Sequence, residues 1–397
     1  MNLPRLRATG ARVAALALVL FVAPAADAQE RGPGEIAHEE LAAAIDRLGD
    51  LDYDTRMTAA RTVRRTAARQ AVPALADAFA SHGDGYVRYK ALVLLTGFTD
   101  LRTEDAMLEA LASPHDRLRE VAYAYFEHHP SPSMVPRLLA ALETEQGEFV
   151  RPALVRALAV HRDDARVREA LLRDIMRGVD YFRSTVIEAL GDYGWTEAFD
   201  ALTKVASLDG PLQDDAATAL GKIGDKRALE TLAGLQRTAA REFQPAVAAA
   251  ICLLGVNCTS HIGYLERTLE FADRNPGYQD LLRGAASGLG ALAARGNAEA
   301  LAILLRVGIP SQDPVRASIA LALGLVALRD TPLMLATLEG HADRAGAVSL
   351  LAEGFDMLEE DLEEERFFVA VRRAYWAAPE GSETRALTER LITVLHF

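Results

Sequence analysis

The chain has 397 residues, of which 50% are apolar but only 6% aromatic, with 28 glycines and a formal net charge of −13. Abundant apolar residues with few rings suit many thin Ala/Leu helices rather than a sheet core, and no stretch reads as a strand. The acidic balance repels nucleic acid and anionic membrane surfaces overall, although a local basic strip is compatible with it.

At the N-terminus Arg5, Arg7 and Arg12 precede the apolar run from Val13 to Val22, and Ala26-Asp27-Ala28 forms a small-x-small cleavage site. This pattern predicts a signal peptide over 1–28 and a mature chain beginning at Gln29. The run is short for a bilayer crossing and no second candidate follows, so a periplasmic or secreted protein with no membrane span after cleavage is expected. Loss of three Arg and Asp27 with the leader takes the formal charge to −15. Residues 29–35 read as a flexible mature N-terminus, and 36–397 as one helical array opened by a cap helix within 36–50.

The repeating unit is clearest between Tyr181 and Gln236. There Val186, Ile187 and Leu190 share a helical face before Gly191 and Gly194. Thr196 is a candidate cap, and Phe199, Leu202 and Val205 form the returning face before Asp209-Gly210-Pro211. The next copy places Ala216, Ala217, Leu220 and Ile223 against Leu229, Leu232 and Leu235. A marker near the start of each first helix recurs at Arg56, Arg88, Arg119, Arg151, Arg183, Gln213, Gln244, Leu282, Arg316 and Arg344. Ten hairpins follow from it, none able to bury both faces alone, so they are expected to stack into an all-α solenoid. Farther on, the acidic run from Leu358 to Glu365 reads as a solvated helix face, and 384–397 as a C-terminal cap helix.

The phrasing VRxxAAxALGxxG, charged pair, AxxxLxxxL resembles the HEAT-like repeat family, in the bacterial short form also seen in phycobilisome-lyase-type repeats. It covers roughly residues 50 to 350. The resemblance implies an α-solenoid (superhelix) of about ten HEAT-like hairpins and leaves function open, because the family includes scaffolds, adaptors and a few enzymes. It also implies that the second helix of each pair lines the concave face. Asp77, Glu109, Arg137, Arg173, Lys204 and Glu230 would then form a groove of mixed sign.

Four groups of residues stand out. Asp116, Glu148 and Asp180 each precede a marker Arg by three, which predicts ion pairs along the turns, with a grip on an anionic ligand as the other reading. Tyr86, Arg117, Phe149 and Tyr181 share one register in units two to five and form a candidate binding strip on one edge of the stack, unless each ring only covers the turn beneath it. Cys252 and Cys258 flank Gly255, and an exported compartment permits their disulfide. A long step between markers is spent around Arg274, Asn275 and Tyr278, which reads equally as a binding insertion or as drift.

Chemistry-bearing motifs are missing from the sequence: it contains no HExxH, CxxC, CxxCH, GxSxG or phosphate-loop pattern. HEAT-like enzymes of the deoxyhypusine hydroxylase type carry His-Glu pairs in several repeats to hold two irons. This chain has one such pair, His38-Glu39, outside the repeats. The expectation is therefore an exported scaffold or adaptor that binds a protein or peptide, with neither cofactor nor metal. The alternative is an enzyme of the lyase-like or metal-dependent oxygenase-like branch, which would need a convergent His/Glu cluster on the inner helices.

Overall fold

The computed structural model describes residues 32–358 and 361–397; the leader and its cleavage point lie outside them. Helix α1 (His38–Arg47) is followed by α2 (Tyr53–Arg64) and α3 (Ala68–Ser81), then α4 (Gly85–Leu95) and α5 (Leu101–Ala110). Next come α6 (Asp116–His128) with α7 (Val135–Thr144), α8 (Arg151–Ala159) with α9 (Ala165–Asp174), and α10 (Asp180–Asp192) with α11 (Phe199–Ala206). The second half continues with α12 (Gln213–Ile223) and α13 (Ala228–Thr238), α14 (Gln244–Leu253) and α15 (Cys258–Arg274), and α16 (Gln279–Ala293) and α17 (Ala298–Gly308). It ends with α18 (Val315–Arg329) and α19 (Thr331–Gly340), α20 (Arg344–Phe355) and α21 (Asp361–Ala377), and a last helix, α22 (Glu383–Val394). The described residues thus form an α-solenoid of ten hairpins with no β-strand, as the repeat pattern predicts.

The marker positions have a common local task. Arg88 Nε donates to Phe79 O at 2.7 Å, Arg183 Nε to Ile175 O at 3.0 Å and Arg316 to Ile309 O at 2.8 Å. Gln213 donates to Ala206 O and Gln244 to Ala239 O, both at 2.9 Å. All five acceptors are terminal carbonyls of the preceding second helix, which no intrahelical N–H can reach. A planar amide does this as well as a guanidinium, which explains why Gln replaces Arg without loss of the repeat. Asp116 and Asp180 do pair with Arg119 at 2.6 Å and with Arg183 at 2.8 Å. Among the described residues Glu148 forms no such pair with Arg151, whose guanidinium lies instead 4.0 Å over the Phe182 ring.

First helices end at glycines in the left-handed region, Gly194 at φ 66° and Gly224 at φ 79°, where an L side chain is strained. Thr196 does not act as the cap expected of it; its hydroxyl meets Glu197, and the turn is held by Trp195, fully buried, whose indole donates to Ala159 O at 2.9 Å.

Successive first helices from α6 to α20 lie closer together than successive second helices do, so the first helices form the inner layer of the curve. The repeated Ala-Leu-Gly makes this possible. A Cβ built on Gly191 would stand 2.9 Å from Ala219 Cα, and one on Gly221 only 2.6 Å from Ala250 Cα. The expected groove is thereby overturned: Asp77, Glu109, Arg137, Arg173, Lys204 and Glu230 belong to second helices, on the outer layer. There Arg137 donates to Leu108 O at 3.1 Å and Arg173 pairs with Glu143 at 3.0 Å, both within that layer.

The curve closes on itself. Helix α21 buries Leu362, Phe367, Phe368, Val371 and Tyr375 and packs on α4 and α6 at the other end of the chain. Its acidic side is not the solvated face that a run of carboxylates suggests. Glu365, 2% exposed, pairs with Arg64 at 2.7 Å, Asp361 with Lys90 at 2.6 Å, and Glu363 with His128. Arg295 reaches across to Gly191 O at 3.1 Å, and Arg329 to Asp192 at 3.1 Å. The segment expected to be flexible is also tied down at its end, since Gly34 N donates to Arg65 O at 2.9 Å and Gln70 brackets Ile36.

Candidate functional site

Between the inner faces of α2, α4, α6, α8 and α10 and the returning C-terminal segment lies a cavity of about 1010 Å³. Tyr86, Arg117, Phe149 and Tyr181 all line it. The register that aligns them in sequence places them in the first turns of α4, α6 and α10 and in the turn entering α8, on the inner face rather than on an edge. Phe149 is 77% exposed and Tyr181 52%, so these rings are open to solvent, whereas Tyr86, 36% exposed, leans on Tyr89 with centroids 6.0 Å apart and lies under Lys90. Arg117 is exposed and lies 5.4 Å over the Tyr89 ring; among the described residues no carboxylate pairs with it.

Behind this row the cavity floor is polar and internally paired. Lys90 Nζ donates to Asp361 at 2.6 Å, the Tyr89 hydroxyl donates to the same carboxylate, and Arg64 lies 5.1 Å over Phe368. Burial lowers the Lys90 amine to about 8 and raises the Asp361 carboxyl to about 6. The floor is thus neutralised by contacts from α21, a partner 271 residues distant that sequence periodicity does not reveal.

The other candidates lie elsewhere. Arg274 and Asn275 donate to carbonyls of their own helix, Glu270 O at 3.0 Å and Phe271 O at 2.7 Å, and Tyr278 packs on Phe271 with centroids 4.8 Å apart. Much of the long step is absorbed by the seventeen residues of α15, and this loop does not join the cavity. Cys252 and Cys258 have their Cα atoms 4.3 Å apart and their sulfurs at bonding distance.

Among the described residues one His/carboxylate group brings ligand-type atoms within 4.8 Å of one another: Glu127, His128 and Glu363. It does not fit a metal ion. Glu127 pairs with Arg156 at 2.8 Å and accepts from the Tyr193 hydroxyl at 2.5 Å, while Arg366 stands 2.8 Å from His128 Nε2 and 2.5 Å from Glu363. Two guanidinium groups already occupy the positions a cation would take. Against the effect of burial, the bond from His128 and the Arg366 charge keep the Glu363 carboxyl below its usual range. From Glu127 the network continues through Arg156 to Asp192, which also receives Lys222 at 2.7 Å. The cluster is therefore a seam that joins the two ends of the solenoid.

A second inner cavity of about 380 Å³ lies over α10, α12, α14 and α16 and is rich in acids, among them Glu188, Asp215 and Glu242. Burial raises Glu188, and it raises Asp215 to about 6 despite the 2.6 Å bond from the Ser184 hydroxyl. A carboxyl raised in the folded state opposes folding once ionised. Its cost is present above about pH 6 and vanishes as pH falls below the unfolded value near 3.8. Asp215→Asn is therefore expected to stabilise the protein by about 1–2 kcal/mol near pH 8, the gain disappearing by about pH 4. Urea unfolding at both pH values checks it, and a gain independent of pH would contradict the assignment.

Compared with family models and with curated proteins, the chain matches none. Among solved structures it is similar to Kap121p bound to RanGTP, at 13% identity and a TM-score of 0.41, covering 89% of this chain and 45% of that one. It is also similar to importin beta, at 14% identity and a TM-score of 0.40, covering 90% and 61%. Yeast importin-beta (Kap95p) follows at 11% identity and a TM-score of 0.30, covering 90% and 52%. The chain thus spans about half the length of the structures it matches. The class of protein defined by the fold is an all-α solenoid of stacked helical hairpins.

Proposed function

We propose that the protein is an exported member of the short HEAT-like kind, released into the periplasm after cleavage at Ala28, and that it binds a segment of a partner protein without catalysis. One observation carries this reading: four successive repeats each contribute one residue, Tyr86, Arg117, Phe149 or Tyr181, to the wall of the same large cavity. Exposed rings at Phe149 and Tyr181 and an Arg with no carboxylate partner among the described residues supply contact area at little ordering cost, which is the composition of binding hot spots. The importin-type structures, one of them bound to RanGTP, suit the same use of a helical solenoid. The enzyme alternative lacks support from the Glu127, His128 and Glu363 group, whose donors are committed to arginines.

Capture of a partner from periplasmic extract tests the proposal. Phe149→Ala with Tyr181→Ala is expected to reduce capture about tenfold or more, while each change shifts stability by no more than about 0.5 kcal/mol because both rings are exposed. Undiminished capture by the double variant would overturn the site, as would a large loss of stability with capture intact.

A further inference from the structure

The apolar core of the described residues is in two parts, and they meet in one helix. On α14, Val247, Ala250, Ile251 and Leu254 recur at helical spacing and pack with the first part, which runs back to α1. Ala248, Ala249 and Cys252, on the opposite side, pack with the second, which runs on to α22. The run Ala248-Ala249-Ala250 gives the middle of this helix side chains too short to join the two. Its neighbours press close instead: a Cβ on Gly221 of α12 would stand 2.6 Å from Ala250 Cα, and one on Gly288 of α16 3.2 Å from Ala249 Cβ.

Across the ring the two parts touch differently. Of the buried apolar residues of α21, Leu362 alone joins the first core, while Phe367, Phe368, Val371 and Tyr375 belong to the second. The remaining contacts are polar. Arg64 meets Glu365 at 2.7 Å, Lys90 meets Asp361 at 2.6 Å, and His128 meets Glu363, with Arg366 at 2.8 Å from the same ring nitrogen. Nearer α14, Arg295 donates to Gly191 O and Arg329 pairs with Asp192, both at 3.1 Å. Parting apolar faces exposes them to water at a cost that grows with area, whereas parted ionic groups are rehydrated, so the polar contact opens first.

The large cavity straddles that polar contact, with Tyr86, Phe149 and Tyr181 on the wall of the first part and Phe355, Phe368 and Leu395 on the wall of the second. We propose that the protein is a clamp whose halves, α1–α13 and α15–α22, turn about α14, and that the seam of α21 against α2, α4 and α6 is the latch that opens the cavity. The use of this motion rests on the binding role proposed above; the motion itself needs no ligand. Helix α6 stands four first-helix layers from α14. At about 8–10 Å per layer, a turn of about 15° moves the latch by roughly 8–10 Å.

Both native cysteines are bridged, so introduced cysteines take spin labels selectively. Asp105→Cys on α5 with Arg373→Cys on α21 spans the latch. Asp105→Cys with Glu230→Cys on α13 lies within the first half, and Glu299→Cys on α17 with Arg373→Cys within the second; all four positions are exposed. Electron–electron distance measurements are made on the mature protein, at low salt, in about 1 M NaCl, and with Glu363→Lys, which sets an ammonium against His128 and Arg366. Salt and the variant are each expected to add a spanning population longer by roughly 8–10 Å, while both within-half distances hold. A spanning distance unmoved by either would overturn the clamp. So would a change in the Glu299 and Arg373 pair, since α21 would then be peeling away by itself. Should Glu363→Lys fail to fold, the salt series on the parent decides. A spanning distance that lengthens while capture from periplasmic extract is independent of Phe149 and Tyr181 upholds the clamp and removes the binding role.

Discussion

Arg64→Ala is expected to destabilise the protein by about 3–5 kcal/mol, the cost of leaving a buried carboxylate without its partner. Glu365 is 2% exposed and Arg64 9%, and the guanidinium meets the carboxylate at 2.7 and 2.8 Å. The carboxylate is also closely enclosed: a Cβ on Gly97 would sit 2.7 Å from Glu365 Oε1, so backbone stands against it on that side. The same contact anchors α21, since Arg64 also lies over Phe368 and its carbonyl accepts from Arg372 at 3.0 Å. Loss of Arg64 should therefore loosen the closure as well as lower stability, giving protease cleavage around α21 under native conditions. Arg64→Met combined with Glu365→Leu should recover most of the loss, because an apolar pair of similar volume removes both charges. Urea midpoints of the single and double variants decide the matter. A single variant as stable as the parent would mean that Glu365 finds water or another donor, and the closure would have to rest on apolar packing alone.

The closure also marks the boundary of what the sequence makes legible. Hairpins can be read off because their cause is local: apolar residues at helical spacing, a glycine stop and a marker whose donors reach carbonyls only a few residues back. The pairing of Arg64 with Glu365 spans 301 positions, and nothing within either helix announces it. An acidic run reads as a solvated face by default, and here Asp361, Glu363 and Glu365 instead meet Lys90, His128 and Arg64. The inner layer, by contrast, is marked locally in the sequence. Gly191, Gly221, Gly290 and Gly324 recur in first helices alone, and small residues at one level mark the layer whose backbones must approach most closely. The row of Tyr86, Arg117, Phe149 and Tyr181 is visible as register, but its position over a cavity depends on α20 and α21 returning to face it. The Glu127, His128 and Glu363 group is illegible in the sequence for the same reason, since its third member comes from α21.

That layer assignment predicts opposite effects for one substitution at two glycines. Gly354→Ala, on the inner helix α20, places a methyl where Ala320 O would be 2.2 Å away, Ala320 C 3.0 Å and Gly324 N 3.2 Å. These neighbours are backbone atoms of α18, so no side chain can swing aside, and the two helices must separate along their shared length. Alanine gains up to about 1 kcal/mol over glycine in a helix interior, but overpacking of this kind costs typically 1–3 kcal/mol and more where backbone has to move. The net expectation is a loss of about 2 kcal/mol or more, together with a slackened curve. Gly234→Ala, in the middle of the outer helix α13, meets nothing within 4 Å and is expected to stabilise by about 0.5–1 kcal/mol. Denaturant unfolding of both variants reads the difference directly, and small-angle scattering reads the slackening. Should Gly354→Ala stabilise like Gly234→Ala, the first helices would not be packed at the inner radius, and the cavity they line would lose its structural basis.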